Sequence, residues 1–139
     1  MRDSRIFIDT APFIYILEDN PLFSDKTRTK VSSWYNDGAL FYTSLFTFSE
    51  YCVVPYRLND TQKINDFEMF LDDAEIFITH FTKEIAMLSA NLRAKYSAIK
   101  SMDALQLASA IQNNCDVFFT NDRQLKQVAE INCVLVDEL

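Results

Sequence analysis

Four acidic residues spread along the chain could together hold a divalent metal ion: Asp9, Glu50, Asp103 and Asp122. Four ionised carboxylates in one small site repel one another, so such a cluster favours a bound cation that neutralises them. Oxygen ligands suit Mg²⁺ and Mn²⁺, and these ions also bind the oxygens of phosphate groups. The chemistry that this set of residues predicts is therefore the metal-dependent hydrolysis of a phosphodiester bond.

Zinc chemistry has little support in the rest of the sequence. The chain contains one histidine, His80, and three cysteines, Cys52, Cys115 and Cys133, without a CxxC pair or another spacing typical of a zinc site. The ligand set is therefore all oxygen, which again suits Mg²⁺ or Mn²⁺. The odd number of cysteines also predicts a reducing, cytoplasmic location rather than a disulfide framework.

Alternating strands and helices are the elements that must position these acids. Short β-prone apolar runs predict five strands, at residues 5–9, 39–43, 75–79, 116–120 and 133–136. Helical spacing predicts helices that begin at residue 12, cover 24–37, run on from 44 toward 55, and cover 60–71, 82–96, 101–113 or 114, and 121–130. This order predicts a single α/β domain over residues 1–139, in which helices cover both faces of a mostly parallel sheet.

Capping and helix-breaking residues define the expected ends of these helices. Gly38 should end the second helix, because glycine readily adopts the left-handed conformation of a helix stop. Pro55 should end or bend the apolar helix that follows the second strand. Ser101 is the expected N-cap of the helix rich in small residues, and Asn121 that of the last helix. On this interpretation Asp122 is free for another role.

The order of these elements places all four acids at one edge of the sheet. Strands of a parallel sheet end at the same edge, and each helix that leads back to a parallel strand begins near it. Asp9 closes the first strand, and Glu50 lies in the early turns after the second. Asp103 opens the helix before the fourth strand, and Asp122 follows that strand. We therefore expect the four side chains to converge.

Each of these residues, taken singly, also fits a structural role. Asp103 could do no more than complement the positive start of its helix, an effect of about 0.3 to 1 kcal/mol. Glu50 is the hardest to explain in this way, because its sequence neighbours are apolar and glutamate is rarely buried without a partner. Thr10, Thr120 and Asn121 fit turn or cap positions, and could also support metal ligands through hydroxyl or amide contacts.

The net charge of −7 argues against a protein that coats nucleic acid without specificity. Two local groups of basic residues stand out against this acidic background: Lys26, Arg28 and Lys30, and then Arg93, Lys95 and Lys100. The first group is best explained as a solvated helix face. The second directly precedes Asp103, so it fits a phosphate-backbone contact and a solvated helix face equally well.

The first apolar stretch, residues 6–17, does not resemble a targeting segment. Asp9 and Pro12 interrupt it, and no small-residue cleavage pattern follows it, so we expect no signal peptide. Since no stretch approaches the roughly 18 apolar residues of a membrane span, we also expect no membrane association.

Four motifs in order resemble PIN domains, and most closely the VapC-type ribonuclease toxins of bacterial toxin–antitoxin pairs. FIDTAPFIYILE is similar to the opening strand of that family, with Asp9 and then Thr10, and SLFTFSEY to its second motif, with Glu50. RAKYSAIKSMDALQLASAI resembles the third motif, and FFTNDRQLK the last. The resemblance extends over nearly the whole chain, and the four motifs together are far more specific than any one of them.

The resemblance implies a three-layer α/β/α fold whose five parallel strands follow the order 3-2-1-4-5. It also implies an endoribonuclease with a Mg²⁺ or Mn²⁺ centre, in which a metal-activated water attacks phosphorus in line and leaves 5′-phosphate and 3′-hydroxyl ends. Asp9, Glu50 and Asp103 would be the main metal ligands, and Asp122 a weaker or water-mediated one. A homodimer and a small antitoxin protein that wraps the active-site groove are the implied protein partners.

Other functions remain open at this point. A PIN-fold module could bind RNA or a protein without cleavage, and a PIN nuclease could act in RNA processing without being a toxin. A phosphoryl-accepting signalling domain would also gather carboxylates and Mg²⁺ at a sheet edge. Asp9 has no second acid beside it, as that class would require, and no aspartate two residues on, as a haloacid-dehalogenase-like phosphatase would require.

Overall fold

Five short apolar strands form the centre of the computed structural model, which describes residues 2–139. All of them pair in parallel, in the order β3-β2-β1-β4-β5. The strands are β1 (Arg5–Ile8), β2 (Leu40–Ser44), β3 (Phe77–Thr79), β4 (Val117–Thr120) and β5 (Asn132–Leu135). The predicted parallel sheet and its strand order are confirmed.

Seven α-helices of the described chain connect these strands. They are α1 (Thr10–Leu17), α2 (Ser24–Asn36), α3 (Leu45–Tyr51), α4 (Val53–Arg57), α5 (Thr61–Asp73), α6 (Lys83–Lys95) and α7 (Ser101–Gln112). Two short 3₁₀ helices cover Arg123–Gln127 and Val136–Glu138. As predicted, Gly38 follows the end of α2 in a left-handed conformation, with φ of 86°. No helix within residues 2–139 combines the length and the apolar character needed to span a bilayer.

Alternating side chains of the strands divide the core into two layers. In β1, Ile6 and Ile8 pack into one layer, while Phe7 packs into the other. In β4, Phe119 joins the layer of Ile6, and Phe118 joins the layer of Phe7. Residues of α1, α2, α3 and α5 complete the layer around Ile6, whereas residues of α6 and α7 complete the layer around Phe7. Burial on both faces explains why these strands are continuous apolar runs, and it confirms the three-layer α/β/α architecture.

The first helix begins two residues earlier than the predicted start at Pro12. Thr10 is its first residue, and Asp9 occupies the N-cap position in an extended conformation, with φ of −77° and ψ of 172°. Pro12 is then the third residue of α1. Because the first N–H groups of a helix have no partner within it, proline removes no hydrogen bond at this position. Asp9 consequently lies directly at the junction of strand and helix.

Pro55 interrupts the apolar helix after β2, although the break lies upstream of the proline. The helix stops at Tyr51, and α4 restarts at Val53 with Pro55 as its third residue. A proline cannot donate to the carbonyl four residues earlier, here that of Tyr51, and its ring clashes with that group. The chain therefore breaks one turn before Pro55, which keeps α3 short and separate.

Two cap predictions are wrong. Lys100 rather than Ser101 occupies the N-cap position of α7, so Ser101 is already helical. The predicted helix 121–130 is only the 3₁₀ helix Arg123–Gln127, and its N-cap is Asp122, not Asn121. Only Leu125 and Val128 are buried in that segment, and their spacing of three matches the period of a 3₁₀ turn.

The aromatic cluster between α1, α3 and α5 should contribute strongly to stability. Phe67 is fully buried, and its ring centroid lies 4.2 Å from that of Tyr51, 5.2 Å from that of Phe48 and 5.4 Å from that of Phe13. We expect Phe67→Ala to lower the free energy of unfolding by about 3–5 kcal/mol, because it leaves a large cavity. Urea denaturation measures this loss. The exposed Met69→Ala on the same helix is the control, and equal losses for both variants would contradict the packing described here.

Candidate active site

Asp9 lies at the end of β1, at the carboxyl edge of the sheet, and it is largely buried, with 9% of its surface exposed. Its backbone N–H donates to the carbonyl of Phe119, 2.9 Å away, which fixes the junction against β4. Its carboxylate contacts two neutral donors. The hydroxyl of Thr120 donates to Oδ2 at 2.8 Å, and Nε2 of Gln106 lies 3.4 Å from Oδ1. The side chain is thus oriented from both sides.

Thr120 also connects Asp9 to Asp122. The Thr120 hydroxyl accepts a hydrogen bond from the backbone N–H of Asp122 at 3.2 Å while it donates to Asp9. Oδ1 of Asp122 in turn accepts from the N–H of Gln124 at 3.0 Å, so Asp122 caps the 3₁₀ helix. The expectation that Asp122 would be free of a capping role is therefore wrong. Its second carboxylate oxygen is not used in that cap.

Glu50 approaches the same edge from α3, the helix that follows β2. Its Oε1 accepts a hydrogen bond from the hydroxyl of Thr10 at 2.9 Å. Thr10 directly follows Asp9, so this bond holds the Glu50 carboxylate next to the end of β1. The side chain is partly buried, in agreement with its apolar sequence neighbours. Glu50 therefore faces the site rather than open solvent.

Asp103 lies in the first turn of α7 and is also partly buried. Burial raises its pKa, and the negative charges of Asp122 and Glu50 raise that pKa further. The positive charge of Lys100 lowers the pKa of Asp103. These charge effects place Asp103 among the other acids, with Lys100 as a basic neighbour of the cluster.

The pKa of Asp9 is also affected by neighbouring acids. This pKa is raised from 3.8 to about 6, and burial is the largest cause. Hydrogen bonds from the backbone of Thr10 and the hydroxyl of Thr120 lower the pKa, while the negative charges of Glu50 and Asp103 raise it. The negative charges of Glu50 and Asp103 therefore act on Asp9, and those of Asp122 and Glu50 act on Asp103, so the four acids that the sequence singles out lie near one another at this edge of the sheet. This repulsion disfavours the ionised forms of Asp9 and Asp103.

The donor set of this cluster fits a hard divalent cation. None of the ion pairs formed within residues 2–139 involves these four carboxylates, so none of them is neutralised by a direct ion pair. In the same part of the chain, no three acidic, histidine or cysteine side chains already stand in a metal-binding arrangement. Mg²⁺ commonly keeps several waters and uses one or two carboxylates. An all-carboxylate edge with one buried and three more accessible members suits that mode of binding.

Other predicted residues lie apart from the carboxylates. Asn121 donates to the hydroxyl of Tyr15 at 3.2 Å and accepts from the backbone N–H of Asp137 at 2.9 Å, so it joins chain segments rather than supporting the acids. Lys95 pairs with Glu130 at 3.3 Å. Arg93 and Lys100 are exposed on α6 and at the start of α7. Of the basic residues proposed to contact RNA, Lys100 is the one whose charge acts on Asp103.

The buried side chain of Gln106, which contacts Asp9, was not predicted from the sequence. Gln106, on α7, is fully buried, and it contacts Asp9, Ser44 and Thr47. One signal for it was present in the sequence: Gln106 interrupts a run of small and apolar residues in this helix. A buried amide must find hydrogen-bond partners, so such a position indicates a polar network.

A family model described as PIN domain matches residues 6–131 of the chain. No curated protein gives a significant match. Several solved structures are similar in fold. With the DNA-bound VapBC of Salmonella typhimurium the TM-score is 0.77 at 16% identity, over 96% of this chain and 98% of that one.

Two further structures extend this comparison. With VapBC2 of Rickettsia felis, bound to a promoter DNA fragment, the TM-score is 0.75 at 16% identity, over 95% of this chain and 98% of that one. With VapC20 of Mycobacterium tuberculosis, a toxin that cleaves the sarcin–ricin loop, the TM-score is 0.65 at 11% identity, over 81% of this chain and 86% of that one. The family model spans most of the chain, and the sheet order and helix layers agree with it, so the chain belongs to the PIN domain family.

Proposed function

We propose that this protein is a Mg²⁺- or Mn²⁺-dependent endoribonuclease, and that it is the toxin of a VapBC-type toxin–antitoxin pair. One observation carries the proposal: four acidic residues from separate segments lie at the carboxyl edge of the sheet, where their charges act on one another, and no basic side chain of residues 2–139 forms an ion pair with them. Membership of the PIN family and the similarity to VapC20, a sarcin–ricin-loop-cleaving toxin, support nuclease chemistry.

Asp9, Glu50 and Asp103 are the proposed metal ligands, and Asp122 a weaker or water-mediated one, since one of its oxygens is used as a cap. When bound, Mg²⁺ or Mn²⁺ would neutralise the carboxylates, bind a phosphate oxygen and lower the pKa of the attacking water. Thr120 orients Asp9 through a hydroxyl donor, and Thr10 does the same for Glu50. These neutral donors align the oxygens while leaving their charge available.

The proposed partners follow from the same family. Structures of VapBC complexes are similar to this chain in fold, which supports a small antitoxin protein as a partner. RNA as substrate, a homodimer and a cytoplasmic location belong to the same proposal. Lys100, beside Asp103, is the basic residue best placed to meet an RNA phosphate. Arg93 and Lys95 would act further from the cluster.

The first test is cleavage of structured and unstructured RNAs by the purified protein, with Mg²⁺, Mn²⁺ or EDTA. We expect cleavage only with metal, and a loss of at least about 100-fold in rate for Asp9→Asn and for Asp103→Asn, because each removes a charge that binds the cation. Gel analysis of the RNA and of its end groups measures the metal dependence of cleavage and the rate of each variant. Growth arrest on expression, relieved by a co-expressed antitoxin, would separate a toxin from another PIN nuclease.

Asp73→Asn is the matched control for this assay. Asp73 is exposed at the end of α5, which leads into β3 from the opposite edge of the sheet. The Asp73→Asn variant changes the net charge by the same amount as the two active-site variants. Because Asp73 lies away from the acidic cluster, this variant should keep wild-type activity. Cleavage that persists in EDTA, or in either active-site variant, would reject the metal-nuclease proposal and favour a contaminating nuclease or a non-catalytic binding module.

Asp9 should also destabilise the metal-free protein at neutral pH. Its pKa is about 6 in the fold against 3.8 as the ordinary value, which corresponds to a cost of about 3 kcal/mol for ionising it in the folded state. Between these values the folded protein binds more protons than the unfolded chain, so stability from this group is lost as pH rises. Above pH 7 nearly the full cost is present, and it disappears at pH values well below 3.8.

We therefore expect Asp9→Asn to unfold at higher urea concentration than wild type at pH 7.5 in EDTA, with a gain of about 1–3 kcal/mol. The gain should shrink toward zero as the pH falls through 6 to 4, because wild-type Asp9 is then protonated. Asp73→Asn should show no such pH-dependent gain. An Asp9→Asn variant that is less stable than wild type at pH 7.5 and recovers at pH 4 would refute the assigned sign.

A further inference from the structure

We propose that Gln106 is the positioning residue of this site: its buried side-chain amide joins the segments that carry Asp9, Glu50 and Asp103, and it sets the orientation of the Asp9 carboxylate. The inference deepens the proposed function and rests on it for the identity of the reaction. The hydrogen-bond network around Gln106 carries the argument independently of any activity.

Gln106 is 0% exposed, although glutamine is usually a surface residue. It lies three positions after Asp103 on α7, so it projects from the same region of that helix, one turn deeper. Burying an amide without partners costs on the order of 1–3 kcal/mol. Its position among apolar neighbours therefore requires that both ends of the amide be satisfied inside the protein.

Three side chains satisfy the amide. The hydroxyl of Ser44 donates to Oε1. Nε2 donates to Oγ1 of Thr47 at 2.8 Å, and its other N–H is directed toward Oδ1 of Asp9 at 3.4 Å. One amide thus contacts the last residue of β2, the helix α3 and the end of β1.

The neighbouring hydroxyls determine which way the amide points. The hydroxyl of Thr43 donates to the carbonyl of Ile8 at 2.9 Å, so its only proton is used. The hydroxyl oxygens of Thr43 and Thr47 lie 2.7 Å apart, so Thr47 must be the donor in that pair. Thr47 is then left as an acceptor for Gln106. A flipped amide would place its oxygen against this acceptor and against the Asp9 carboxylate, which would be repulsive.

The network links the acids of the site through their elements. Ser44 is the N-cap of α3, the helix that carries Glu50, and it accepts from the backbone N–H of Phe46 at 3.1 Å. Gln106 itself belongs to α7, which carries Asp103. A displacement of either helix relative to β1 would therefore disturb the amide and, through it, Asp9.

A neutral donor is well suited to this task. Together, Gln106 on Oδ1 and Thr120 on Oδ2 fix the plane of the Asp9 carboxylate. Lysine or arginine in the place of Gln106 would form an ion pair and cancel the charge that a cation needs. The amide orients the oxygens and leaves that charge in place. Residues that orient a metal ligand in this way typically change metal affinity by about 10–100-fold when they are replaced.

The test is Gln106→Met, which keeps the length of the side chain and removes the amide. We expect Mn²⁺ affinity, measured by calorimetry on the metal-free protein without RNA, to fall about 10–100-fold. At saturating Mn²⁺ we expect kcat for RNA cleavage to remain reduced by roughly 10-fold, with the KM for RNA unchanged, because the carboxylate is misaligned rather than absent. Thr47→Val removes the hydroxyl that accepts from the amide, and should shift Mn²⁺ affinity in the same direction by a smaller factor.

Ser109→Ala is the matched control. Ser109 is buried on the same helix, and within residues 2–139 its hydroxyl bonds to the carbonyl of Leu105 and to none of the acids, so the variant should keep wild-type Mn²⁺ affinity. Wild-type Mn²⁺ affinity and kcat in Gln106→Met, with RNA cleavage intact, would overturn the positioning role and leave the proposed function standing. If Mn²⁺ binding depends on Asp9 and weakens in Gln106→Met, but the wild-type protein cleaves no RNA, the positioning role of Gln106 is upheld and the proposed nuclease function is overturned.

Discussion

Repulsion among carboxylates around a buried aspartate is the constraint on which the rest of this structure depends. Asp9 is largely dehydrated at the end of a central strand, and Glu50 and Asp103 add negative charge around it. Such a group is tolerated only where rigid surroundings and hydrogen-bond donors compensate for lost hydration. β1 provides that rigidity, because it pairs with a strand on each side and has a core layer on each face. A central, well-packed strand therefore holds a carboxyl group whose ionised form is unfavourable.

The element order made both the fold and the convergence of the acids predictable. Apolar runs alternated with helical patterns, and a parallel sheet is the arrangement that buries such strands on both faces. Once the sheet is parallel, Asp9 and Asp122 must lie at one edge, because each follows a strand, and Asp103 must lie there because it opens a returning helix. The strand order 3-2-1-4-5 came from the family resemblance, since apolar runs alone do not determine which strands are neighbours.

The features that could not be predicted depend on contacts between distant segments. Asn121 and Asp122 are nearly equivalent as N-caps in isolation; Asp122 takes the role because Asn121 is engaged by Tyr15 and by the backbone of Asp137. The same limit applies to Gln106. Its sequence position indicates a buried polar group, but its partners lie about 60 and 97 residues away in the chain, beyond the reach of any local pattern.

Neutral donors, rather than basic side chains, surround Asp9, and this determines what the site can bind. Gln106 and Thr120 align the carboxylate without cancelling its charge, so the negative potential of the cluster persists. The positive charge of Lys100 reduces that negative potential at Asp103. A polyanion that approaches a protein of net charge −7 is repelled unless cations accompany it. In the proposed nuclease, a divalent cation would both neutralise the acids and allow a phosphate group to approach them. This would reconcile an acidic protein with a phosphodiester substrate.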